Sequence, residues 1–156
     1  MNTVRIAALG AFAGGIALLL AVALVLIVQP AAPPVEGPVD VEIRIVSGEL
    51  QGAFGFALEG QQITSPGPNI TVGVGDVVRV IFTNQGQIPH NFAVVSELRS
   101  DAPVMFGAAI GSGADPLFPG GTGSVTFTAS SAGQFYYLCQ VPGHGQMGMY
   151  GIFIVQ

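Results

Sequence analysis

The chain has two histidines and a single cysteine, at His90, His144 and Cys139, and a methionine, Met149, closes the same C-terminal stretch, CQVPGHGQMGM. Cys139 ends a strongly apolar run, His144 and Met149 lie in the loop after it, and His90 ends a separate loop ahead of the run Asn91 to Val95. A pair of strands carrying these loops could bring one imidazole to a thiolate, a second imidazole and a thioether. Two imidazoles and a thiolate with a long axial thioether are the ligand set of a blue-copper electron-transfer site. Soft sulfur favours Cu(I) while imidazole suits both oxidation states, so a preformed geometry close to both keeps reorganisation on electron transfer small. Pro142 and Gly143 suit a tight ligand loop, and Gly145 and Gly148 let its backbone turn back toward the ion.

Residues 132 to 155, AGQFYYLCQVPGHGQMGMYGIFIV, resemble the C-terminal copper loop of the cupredoxins. The C-x4-H-x4-M spacing is most similar to that of the rusticyanin and sulfocyanin-like members. GDVVRVIFTNQ leading to HNF at 90 to 92, and LFPGGTGSVTFT before the last strands, follow the same family's habits. The resemblance implies a Greek-key β-sandwich, one type 1 copper ion cycling between Cu(I) and Cu(II), and service as a one-electron carrier rather than an enzyme. Carried over residue by residue, it makes His90, Cys139, His144 and Met149 the copper ligands. Asn91 would hydrogen-bond across to the loop bearing Cys139 and help tune the potential. Rusticyanin itself has serine at that place, a departure that speaks against an extreme, rusticyanin-like potential. Met147 rivals Met149 for the axial position, because shorter-loop relatives use a methionine three residues after the second histidine. The spacing favours Met149, which leaves Met105 and Met147 as ordinary apolar residues of the core. The resemblance also makes the edge of His144 the electron port, opening inside an apolar docking patch of Ile88, Pro89, Pro142 and Met147.

The elements that must position these residues read as strands. Short alternating or β-branched runs occur at 41 to 46, 53 to 58, 69 to 74, 76 to 82, 91 to 95, 124 to 129, 134 to 139 and 150 to 155. Between them sit turn clusters such as SPGPN, NQGQIP and PLFPGGTG. About eight short strands separated in this way predict an all-β antiparallel sandwich or barrel, of which the resemblance implies the sandwich. Leu98 to Gly123 is the one long irregular stretch, expected to be a loop with a short helix around Val104 to Ala109.

Ahead of this domain, Ile6 to Val28 carries no charge and is long enough, at about 1.5 Å per residue, to cross a ~30 Å hydrocarbon core as one transmembrane helix. Arg5 precedes it and the first acid after it is Glu36, so the amino terminus is expected in the cytoplasm and the domain on the outer, extracytoplasmic face of the cell membrane. A cleaved signal peptide is the competing reading; the run exceeds the usual apolar core of such peptides, and Pro30 interrupts the cleavage neighbourhood. Residues 29 to 38, QPAAPPVEGP, have the composition of an extended polyproline tether. The expected organisation is an anchor at 1–28, a tether at 29–38 and a cupredoxin domain at 39–156.

Four arginines, no lysine and nine acids leave no basic patch for nucleic acid. One cysteine excludes an internal disulfide and the dinuclear copper centre of oxidases, which needs two. With both histidines and the cysteine committed to one site, no second metal centre for an oxidase or reductase can be built, so no enzyme is expected. The expected partners are membrane redox complexes, a quinol-oxidising cytochrome complex as donor and a terminal oxidase as acceptor in a respiratory or photosynthetic chain. Two alternatives stand beside the mobile carrier: a copper subunit bound permanently in such a complex, and a copper-handling protein for delivery or storage.

Overall fold

The structure, a computed structural model, describes residues 38–156; the expected anchor, and the tether apart from Pro38, lie outside the described residues. Nine strands follow one another: β1 (Val41–Leu50), β2 (Ala53–Leu58), β3 (Ile70–Val72), β4 (Val77–Asn84), β5 (Phe92–Val95), β6 (Val104–Ile110), β7 (Thr122–Thr128), β8 (Gly133–Leu138) and β9 (Tyr150–Val155). They form a four-stranded sheet in the order β2-β1-β4-β7 and a five-stranded sheet in the order β3-β9-β8-β5-β6. β1 runs parallel to β4 and β3 parallel to β9, while all other neighbours are antiparallel. Each parallel pair joins strands distant in sequence, so the chain crosses between the sheets and both ends of the domain are locked inside the sandwich.

The alternation of side chains dictates which face is inward. Along β4, Val78, Val80, Phe82 and Asn84 are buried while Arg79 points to water. Along β9, Gly151, Phe153 and Val155 do the same. Between the sheets Phe56 lies 6.3 Å from Phe82, 6.4 Å from Phe92 and 5.3 Å from Tyr137, ring centre to ring centre, and each pair meets edge to face. The Tyr137 hydroxyl donates to the Pro68 carbonyl at 2.6 Å. Burial pushes that phenol well above its ordinary range, so it stays a neutral donor.

The expected helix around Val104 to Ala109 is absent: the segment is strand β6, paired Phe92 to Ile110 and Ala93 to Ala109 along β5. Tertiary pairing overrides the helical look of the alanines, because β5 would otherwise leave its backbone groups unpaired along that side. The periodicity is hidden by a kink. Phe106 and Gly107 both have left-handed backbones, φ 57° and 69°, which breaks the simple alternation of the strand. For a bulky side chain this conformation costs about 1–2 kcal/mol. It is offset by packing of the Phe106 ring 6.1 Å from Phe127 and 5.0 Å from Phe135. The other eight strands fall where the alternating runs lie, and β1 continues past Val46 to Leu50.

Gly151 pairs with Tyr137 across β8 and β9, and a Cβ there would collide with the tyrosine ring. Replacing Gly151 by Ala should therefore destabilise the domain by about 1–3 kcal/mol, the usual cost of overpacking. Thermal unfolding checks this: an unchanged Tm would mean that the Tyr137 ring is free to move aside.

Candidate metal centre

Three loops at one end of the sandwich bring the chemistry together. His90 stands between β4 and β5, and its backbone is clamped to the loop ahead of β7 in both directions: its N–H donates to the Leu117 carbonyl at 3.0 Å, and the Leu117 N–H donates back at 2.8 Å. Cys139 directly follows β8, and its N–H donates to the Met149 carbonyl at 3.1 Å. The β8–β9 loop folds on itself as the N–H groups of both Met147 and Met149 donate to the His144 carbonyl at 3.1 Å. Gly143 and Gly148, both at φ 89°, provide the two left-handed turns this requires.

The result is a compact triangle of donor atoms. His90 Nδ1 is 3.1 Å from His144 Nδ1, and Cys139 Sγ is 3.4 Å from His144 Nδ1 and 4.0 Å from His90 Nδ1. A point equidistant from all three lies about 2.1 Å from each, close to the bond lengths that imidazole nitrogen and thiolate sulfur make to a first-row metal. His90, Cys139 and Met149 are fully buried and His144 is 8% exposed. The donor set fits one metal ion with soft and borderline ligands, and Met149 is the buried thioether at the same loop. Met147, read from sequence as a core residue, is 41% exposed and packs in neither apolar cluster. Two glycines flank its turn, and the chain there follows the surface rather than the inter-sheet space. Among the remaining docking residues, Pro142 is exposed and Ile88 and Pro89 are half-buried.

Asn91 makes the cross-loop hydrogen bond that the resemblance implied. Its side-chain oxygen accepts from the Gln140 N–H at 2.6 Å, and its amide reaches the Gln140 side-chain oxygen at 3.4 Å. Its own backbone N–H points at Cys139 Sγ at 3.4 Å. The two ligand loops are thereby tied together on the cysteine side.

Three further residues at the site are not identified by the sequence reading. The Glu49 carboxylate at the end of β1 accepts from His90 Nε2 at 3.2 Å, from the Gln87 N–H at 2.9 Å and from the Ile88 N–H at 3.2 Å. An ionised carboxylate needs a donor, so Nε2 carries the proton and the His90 Nδ1 lone pair is left facing Cys139 and His144. Asn84 is buried at the end of β4: its amide donates to the Ile88 and Leu117 carbonyls at 2.8 and 2.9 Å, and its oxygen accepts from the Gly86 N–H at 2.9 Å. It ties the loop before His90 to the loop that clamps His90. Phe54 on β2 covers the pocket, 4.5 Å from the His144 ring and 5.7 Å from the His90 ring, while its N–H holds the Met147 carbonyl at 3.1 Å. Signals for the polar pair existed. Asn84 continues the inward series Val78, Val80, Phe82, and Glu49 continues Ile43, Ile45, Ser47, so each is a polar residue on a core-facing register.

Burial is the leading influence on every titratable group here. It pushes both imidazoles below their ordinary value of 6.5, only partly opposed at His90 by the hydrogen bond and charge of Glu49. It pushes the Cys139 thiol up, opposed by the Asn91 and Val141 N–H groups. At Glu49 burial also acts upward, but the hydrogen bonds from Gln87, Ile88 and His90 outweigh it and hold the carboxyl below its ordinary value of 4.5. A histidine whose folded value is lowered binds its proton more readily in the unfolded chain, so folding stability falls as the pH drops below 6.5. The Tm of the metal-free protein should accordingly decline between pH 7 and pH 5, and a His144→Gln variant should show a shallower decline. Parallel melting curves of the two proteins across that range check it.

The chain matches the copper binding proteins of the plastocyanin/azurin family over residues 58–156. It is 32% identical to the copper-resistant cuproprotein CopI of Rubrivivax gelatinosus over 93 residues, 56% of each chain. It is 36% identical to rusticyanin of Acidithiobacillus ferridurans over 119 residues, 73% of this chain and 63% of that one. The chain thus spans between half and two thirds of the length of these curated relatives. In fold it is similar to the solved structure of rusticyanin from Thiobacillus ferrooxidans, with a TM-score of 0.54 at 23% identity over 74% of this chain and 77% of that one. A multicopper oxidase shares the fold over 42% of its own length and 74% of this chain, with a TM-score of 0.52 at 26% identity. With a family match that covers most of the domain, a two-sheet sandwich and a buried histidine–cysteine–histidine triangle, the chain belongs to the plastocyanin/azurin family of copper-binding proteins.

Proposed function

We propose that this protein holds one copper ion through His90, Cys139, His144 and Met149 and carries single electrons on the outer face of a membrane, tethered there by its N-terminal segment. The observation that carries this reading is the preformed triangle of Nδ1, Sγ and Nδ1, with edges of 3.1 to 4.0 Å, in a pocket that leaves only 8% of His144 exposed. Copper supplies the one-electron couple when bound. The chain's own residues keep the site the same before and after. Glu49 fixes the His90 tautomer, Asn91 directs its N–H at the Cys139 sulfur, and Phe54 excludes water from the imidazoles. Little has to move when charge changes, which is what fast transfer needs.

His144, the most exposed of the four proposed ligands, is the natural port for the electron. The docking patch read from the sequence, Pro142, Met147, Ile88 and Pro89, is uncharged, with Pro142 and Met147 exposed and Ile88 and Pro89 half-buried. A docking face of that kind favours short encounters with membrane redox complexes, a quinol-oxidising cytochrome complex on one side and a terminal oxidase on the other. The similarity to a copper-resistant cuproprotein favours a second reading, in which the domain acquires and passes on copper. A carrier keeps its ion through many cycles, whereas a handling protein exchanges it.

The deciding experiment is the visible absorption and electron paramagnetic resonance spectrum of the full chain loaded with Cu(II), followed by reductive titration. An intense thiolate-to-copper band with narrow hyperfine splitting, reversibly bleached, is expected; a weak spectrum with copper lost on dilution would hand the function to copper handling. Cys139→Ser should abolish the band entirely. Met149→Leu should shift the reduction potential more than Met147→Leu, and the opposite ranking would make Met147 the axial ligand.

A further inference from the structure

Copper that ends in this pocket has to enter it from water, and the pocket is nearly sealed. His90, Cys139 and Met149 expose nothing, and His144 exposes 8% of its surface. Of the soft donors among the described residues, Met105 is half-buried in β6 and only Met147 stands in water. Met147 is 41% exposed and belongs to neither of the two apolar clusters. It is nevertheless held in place. The Met147 N–H donates to the carbonyls of Gly143 and His144, both at 3.1 Å, and its carbonyl accepts from the Phe54 N–H at 3.1 Å.

Those hydrogen bonds make residues 143 to 147 a helix-like turn. In such a turn side chains three apart lie on one side, with Cβ atoms about 5–6 Å from each other. The side chains of Met147 and His144 therefore leave this turn on the same side, and the residue between them next to His144 is glycine, which interposes no side chain. Thioether sulfur is a ligand for Cu(I) and a poor one for harder ions.

We infer that Met147 and the outer edge of the His144 ring form an outer capture site for Cu(I), from which the ion passes inward to His90, Cys139 and Met149. The inference rests on the copper-centre reading above. The passage is ligand exchange at constant oxidation state: the Met147 thioether, solvent and the outer nitrogen of His144 are released as the inward nitrogens of His90 and His144, the Cys139 sulfur and the Met149 thioether bind, the His144 proton moves by way of solvent from its inward to its outer nitrogen, and the Cys139 proton leaves to the solvent. Met147 thus acts before the centre is complete and is no ligand within it.

The test uses the metal-free full chain, wild type and Met147→Leu, mixed anaerobically with a limiting amount of Cu(I). A chromogenic Cu(I) chelator, added at set times, reports how much copper has become protected. Leucine keeps the apolar bulk and removes only the sulfur. Cu(I) uptake by the variant should be slower by about tenfold, equivalent to ~1.4 kcal/mol at the rate-limiting encounter. Uptake of Cu(II) should be unchanged, and the fully loaded, oxidised variant should have the wild-type visible spectrum. Equal Cu(I) rates would overturn the capture site, as would equal slowing of Cu(I) and Cu(II), which would point to shape instead of sulfur. An altered final spectrum would also overturn it by placing Met147 inside the centre. A wild-type chain that never develops the thiolate band would fail the copper-centre reading itself, a result distinguishable from all of these.

Discussion

Everything at this end of the molecule depends on holding two imidazoles and a thiol within 4.0 Å of one another in a pocket that is almost wholly buried. The three groups do little for each other. Burial disfavours a charge on either histidine, so no ion pair among them holds the group together. The free energy that keeps them together comes from the surrounding sandwich. Its interior is an aromatic cluster of Phe56, Phe82, Phe92 and Tyr137, continuous with the strands that end at His90 and Cys139. Burying such side chains contributes about 1.5–3 kcal/mol each, ample to offset a few unfavourably desolvated donors.

Packing alone would not fix the triangle, because its corners lie on loops. Directional bonds do that. Glu49 sets the His90 ring, Asn84 joins the loops on either side of the His90–Leu117 clamp, and Asn91 stitches the His90 side to the Cys139 side through Gln140. Each of these residues bonds backbone groups of the loops that carry the donors, and among the described residues no buried side-chain nitrogen or oxygen is left unsatisfied. A half-satisfied network would be costlier than an apolar core; a complete one rigidifies the donor geometry.

This stiffness also separates the two methionines of the copper loop. The turn at 143 to 148 commits Met149 to the interior and Met147 to the surface, although both are the same residue type two positions apart. The difference follows from the backbone: the left-handed Gly148 reverses the chain between them, so successive thioethers leave on opposite sides.

The sequence by itself determined the sandwich and the chemistry of its site. Period-two alternation in runs such as VVRVIF and YGIFIV is a local property, and eight of the nine strands can be read from it. The only two histidines and the one cysteine named three donors, since no other residues of those types exist to compete, and the C-x4-H-x4-M spacing favoured Met149 over Met147 for the fourth. Tertiary structure decided the rest. β6 became a strand because β5 needed a partner, and Phe106 could take a left-handed backbone because Phe127 and Phe135 stand beside it. Glu49 reaches His90 only because the β2-β1-β4 pairing brings the end of β1 beside the loop that follows β4. Asn84 is indispensable only once the loops at 86 to 90 and 117 to 121 lie against it. Periodicity tells which way a side chain faces; contacts between residues 30 to 50 positions apart depend on how the sheets assemble, and no local pattern encodes that.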